Sequence, residues 1–150
     1  MAVWNLPPKI KIYEALGAVA DGRVEVDGIF GYEGKCFSAS TPGRVYDIKY
    51  DPDTNTITSN DSGSAALGYL GYPMIAFLLK IGKLNYQVEF LPYLRGLDWI
   101  AIKQKVNKHH EETLRLLLGT LFQQGVDIDA LVREGDQIFE QLKRLALKKT

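Results

Sequence analysis

The chain has 150 residues, enough for one domain with a sizeable core, and its composition is that of an ordinary globular protein. Its 18 basic and 18 acidic residues cancel, which excludes a nucleic-acid binder that works by bulk positive charge. The balance is uneven, with 6 Lys/Arg against 9 Asp/Glu in residues 1–75 and 12 against 9 in residues 76–150, so a local anion site stays open.

Trp4-Asn5-Leu6-Pro7-Pro8 reads as an extended lead-in that sets up a helix over Lys9–Ala20, where Ile12, Ala15, Leu16 and Val19 recur at helical spacing. Asp21-Gly22 ends that helix, Gly22 suiting the left-handed cap position. Arg23–Asp27 alternates and predicts a strand. Ile29–Ser38 predicts a second, interrupted at Glu33-Gly34. The runs RVYDIKY (44–50) and TITS (56–59) flank Asp51-Pro52-Asp53-Thr54-Asn55, the composition of a tight turn, and so predict a hairpin. A glycine- and tyrosine-rich loop follows, then an apolar helix over Pro73–Ile81 with Pro73 in its first turn.

Val88–Leu94 predicts a short helix. Asp98 caps a long one in which Trp99, Ile102, Val106, Thr113, Leu117 and Leu121 recur up to Gly125. Asp127 caps the last helix. Its Ile128, Leu131, Ile138, Leu142 and Leu145 form an a/d seam with Gly135 in the missing heptad position, while Val132, Phe139 and Ala146 widen the stripe. A narrow seam suits pairing with a second chain, and a wide one suits packing on the chain's own core; the terminal position and basic tail favour the first. The fold class is therefore α+β: about four antiparallel strands covered by helices. Residues 1–125 form the binding domain, and residues 126–150 form a zipper-like helix for homo-oligomerisation.

No motif for chemistry is complete. Asp51, Asp53 and Asn55 match the first ligand positions of a calcium loop, but Thr56 stands where Gly is needed and Ser62 where Glu is needed. His109 and His110 are adjacent, so their rings diverge on a helix and read as solvated. Asp61-Ser62-Gly63-Ser64 lacks the nucleophile elbow, and Gly68–Gly71 lacks a phosphate-loop lysine. The single Cys36 excludes an internal disulfide and reads as a small buried hydrophobe. The expectation is a protein that is not an enzyme and carries no metal or cofactor. With no leader pattern and no apolar run near 18 residues, it is expected in the cytoplasm and away from membranes.

What does carry functional content is the interleaving of aromatic and basic residues. Phe30, Tyr32, Lys35 and Phe37 lie along the second strand, Arg44, Tyr46, Lys49 and Tyr50 along the third, and Tyr69 and Tyr72 in the glycine loop. Single-stranded nucleic acid is held this way, with rings stacked on bases and Lys/Arg on phosphates. Tyr46, Ile48 and Tyr50 share a parity that also describes a core face, whereas Tyr69 and Tyr72 are expected to be exposed beside Gly68 and Gly71. Lys80, Lys83, Arg95, Lys103, Lys105 and Lys108 fit either a phosphate track or a solvated helix face.

Two resemblances bear on this. The run TITSND…GYLGYPMIAFLL is similar to the strand-strand-helix of a SWIM zinc module. The ligand positions of that module fall here on Ser59, Asp61, Gly71 and Pro73, which cannot make its site, so a module without metal is implied. YEALGAVADGRVEV, YLGYPMIAFLL and the seam from Ile128 to Leu145 together resemble ThermoDBP, the single-stranded DNA-binding proteins of hyperthermophilic archaea. This second resemblance covers most of the chain and implies DNA held in a cleft of the strand-bearing domain, with oligomers made through the last helix. The expected function is sequence-tolerant binding of single-stranded nucleic acid, DNA favoured. Phe30, Tyr32, Tyr69 and Tyr72 would stack on bases, and Lys35, Arg44 and Lys49 would meet phosphates. The alternative is an adaptor whose terminal seam pairs with a partner protein.

Overall fold

The computed structural model describes residues 2–28, 30, 32–107 and 109–149. After the lead-in comes α1 (Ile10–Ala20), then an antiparallel meander of β1 (Val24–Asp27), β2 (Glu33–Phe37), β3 (Val45–Asp51) and β4 (Thr56–Ser59), with strand order following chain order. The register sets Val24 opposite Cys36, Cys36 opposite Tyr46, and Tyr50 opposite Ile57. Because side chains alternate along a strand, Cys36, Ile48 and Tyr50 turn into the core while Lys35, Asp47 and Lys49 face solvent. This is the α+β class that the patterning predicts.

The covered sheet face meets α3 (Tyr72–Lys80), whose residues Pro73–Leu79 are all buried, and α1 packs behind α3. A 3-10 turn (Val88–Phe90) leads into α4 (Leu91–Leu94). α4, α6 (His110–Gln123) and α7 (Ile128–Leu145) then close over α1. No helix among the described residues is long and apolar enough to cross a membrane.

Besides β2, which runs unbroken through Glu33-Gly34 where the pattern predicts an interruption, three elements depart from the sequence reading. The predicted glycine loop contains a short helix, α2 (Ser62–Leu67), which the Asp61 side chain caps by accepting the Ser64 N–H and Gly68 ends in the left-handed conformation. The predicted long helix is two: α5 (Trp99–Lys105) stops at Val106, and Asn107 takes a positive φ of 50° before α6 begins.

The third departure corrects the oligomerisation seam. Leu131, Ile138 and Leu142 of α7 are fully buried in this chain's own core, with Ile128 and Leu145 packed against it. Gly135 explains the docking, because a Cβ there would stand 2.5 Å from Tyr13 Oη of α1. The missing heptad position is thus the point of closest approach to α1. Beyond α7 the tail lies along β4: Ile57 N–H donates to Lys148 O at 3.0 Å, and Trp4 N–H donates to Leu147 O at 2.8 Å. The described residues of this C-terminal stretch, 126–149, therefore share one core with those of the preceding part and protect a sheet edge that would otherwise be open.

Candidate functional site

A cleft of about 440 Å³ opens where β3, the approach to β1 and α2 meet α1, α5 and α6. α1 contributes Lys11 and Glu14, Arg23 enters from just ahead of β1 and Tyr46 from β3, and the α2–α3 segment contributes Asp61, Tyr69 and Tyr72. Trp99 and Lys103 enter from α5, and His110 and Thr113 from α6.

Glu14 is the one acid in a mostly apolar α1 and is only 3% exposed. A buried carboxylate needs compensation, and two lysines supply it. Lys11 Nζ stands 2.9 Å from Oε2, and Lys103 pairs with Oε1. Asp61 is held by α2, accepting the Ser64 N–H at 3.1 Å and the Ser64 hydroxyl at 2.9 Å. Gly71 lets the chain pass this carboxylate, since any Cβ there would collide with it.

The rings form the other walls. Tyr69 lies against Gly63, where a Cβ would come within 2.8 Å of the ring, and meets His110 edge-on at 6.4 Å. Tyr72 meets Tyr46 edge-on at 6.2 Å, and the Arg23 guanidinium lies 6.0 Å from the Tyr72 ring centre. Arg23 is itself fixed, donating to Phe37 O at 2.8 Å and pairing with Asp21 at 3.3 Å. Burial pushes the phenols of Tyr69 and Tyr72 above the usual tyrosine range. Partial desolvation, and then the Lys11 charge, lower the His110 pKa, which favours a neutral imidazole.

Not all the residues singled out in the sequence come together here. Tyr69 and Tyr72 do, but the exposure expected of them is corrected: Tyr69 is 9% exposed, lying against Gly63 of α2, and Tyr72 is half-buried against Tyr46 and Arg23. Arg44 reaches the cleft only through Tyr46, over whose ring it lies at 5.4 Å. Phe30 (77% exposed) and Tyr32 stack on each other at 5.8 Å, beyond the opposite end of β1 and β2. Lys35 and Lys49 sit on the open sheet face, opposite Glu25 and Asp47 and opposite Glu33 respectively. Of the basic residues considered for a phosphate track, Lys103 lines the cleft, Arg95 donates to Ala20 O, and Lys108 lies outside the described residues.

Lys11, Glu14, Arg23, Trp99 and His110 are cleft residues that spacing alone passed over. Only Glu14 left a signal, as the one acid in a mostly apolar helix.

A family described as "Uncharacterised conserved protein UCP014422" matches residues 4–148. No curated protein and no solved structure matches the chain.

Proposed function

From the premise that the chain belongs to this uncharacterised family, we propose that it is a binding protein whose cleft takes a nucleotide unit, free or within a single strand, with little regard to base sequence. One observation carries the reading: the rings of Tyr69 and Tyr72 and the cations of Lys11, Arg23 and Lys103 line a single cavity of nucleotide size. Rings give a base something to stack on, and fixed cations give a phosphate charge-assisted hydrogen bonds. An adaptor acting through α7 would have to detach that helix from its own core. The reading assigns the cleft binding and no reaction. The compartment it goes with is the cytoplasm, in keeping with the free thiol of Cys36.

The test is fluorescence anisotropy of a labelled DNA single strand of ~20 nucleotides, at low and high salt, against matched duplex and with unlabelled mononucleotides as competitors. Binding of the single strand in preference to duplex, with a shallow salt slope, is expected if the ligand is a strand. Competition by mononucleotides at equal concentration of nucleotide units marks a free nucleotide instead. No binding of strand or mononucleotide at low salt would overturn the proposal.

A further inference from the structure

Where α1, α5 and α6 meet, the cleft is lined by Lys11, Lys103 and His110. The buried Glu14 draws the two lysines together, Lys11 Nζ standing 2.9 Å from Oε2 and Lys103 pairing with Oε1. One carboxylate between two ammonium groups leaves a net positive charge. Each ammonium carries three donors, and among the described residues neither forms a second ion pair. Their side chains are 14% and 30% exposed, so the charge is weakly screened and still open to the cleft. Arg23, by contrast, is committed to Phe37 O and Asp21.

His110 is accessible to solvent at the first position of α6, and its ring meets Tyr69 edge-on at 6.4 Å. The charged groups facing it are Lys11 and Glu14 of α1, Lys103 of α5 and His109 of its own helix, while Tyr69 stands beside it as a neutral phenol. Partial desolvation first, then the Lys11, Lys103 and His109 charges, disfavour a proton on its ring, against the pull of Glu14. An anion seated among these groups reverses that balance, because an opposite charge favours the protonated form.

Resting on the reading of the cleft as a nucleotide site, we infer that Lys11, Lys103 and His110 form its phosphate corner and that phosphate binding brings a proton from solvent onto His110. The lysines supply the standing charge, and the imidazolium adds a third charged donor when the phosphate is in place. The coupling is reciprocal: the anion raises the His110 pKa, and the protonated ring tightens the anion. The added affinity is complete below the His110 pKa of the free chain and is lost as pH rises through that of the complex.

The chain has two histidines, so His109→Gln leaves His110 as the only imidazole in the NMR spectrum of the full chain; the His109 side chain caps nothing. The resonance is followed from about pH 5 to about pH 8, alone and with saturating thymidine 5′-monophosphate or ribose 5-phosphate. The monophosphate should raise the His110 pKa by about one unit and bind more tightly than ribose 5-phosphate. Sulfate, a dianion throughout this range, is titrated calorimetrically into the unaltered chain. Its affinity should fall several-fold from the acid to the alkaline end, and His110→Gln should bind it equally at both. Monophosphate that binds with the His110 pKa unmoved overturns the inference and leaves the nucleotide reading standing. Ribose 5-phosphate that binds as tightly and shifts His110 as far keeps the phosphate corner and overturns the nucleotide reading. No binding of any of the three at low salt overturns both.

Discussion

Cys36 is the residue whose environment follows most directly from its place in the chain. In a strand whose alternate side chains face the helices it is completely buried, and burial pushes its thiol up to about 12 from an ordinary value of 9.0. Burial, helped by the nearby Asp136, likewise lifts the Tyr13 phenol to about 12. Both groups are neutral when protonated, so the unfolded chain releases their protons first as pH rises. Their contribution to stability is therefore complete below about pH 9 and is lost progressively between pH 9 and 12. Urea midpoints should fall steadily above pH 9, and Cys36→Ala should flatten the first part of that fall; an unchanged slope would contradict the burial argument. Glu14 shows the limit of reading at this scale. Its place in a mostly apolar helix was visible, but Lys103, which makes the burial tolerable, comes from the far half of the chain.

At the level of elements, periodicity located α1, α3, α7 and the hairpins because each has a continuous apolar stripe or a strong turn. It failed between α5 and α6, where the spacing of apolar residues runs on across a break made by Asn107 in the left-handed region. It also could not tell what the α7 seam packs against, since a stripe of leucines and isoleucines is equally suited to a second chain or to α1. Gly135 held that answer, but its meaning depends on Tyr13 lying opposite. If the seam is core, Ile138→Ala should cost about 2–4 kcal/mol of unfolding free energy in urea titrations, independent of protein concentration. A cost that appears only as the chain is diluted would return the seam to an intermolecular role.

Over the whole molecule, the meander was legible because consecutive strands joined by short turns pair as neighbours. The cleft was not, because it is assembled from α1, the approach to β1, β3, the α2–α3 segment, α5 and α6, whose mutual placement no local pattern records. The division of the aromatic-basic residues follows from the same cause: a strand presents its two ends and two faces to different surroundings, so Tyr46 and Lys49 of one strand serve different surfaces. The most direct measurement is amide chemical-shift mapping of the full chain during titration with a short single-stranded DNA. Perturbations concentrated at Lys11, Tyr69, Tyr72, Lys103 and His110, with Lys35, Lys49 and Tyr32 unmoved, are the predicted result. Perturbations on the open sheet face or at the Phe30–Tyr32 stack, with the cleft silent, would contradict it.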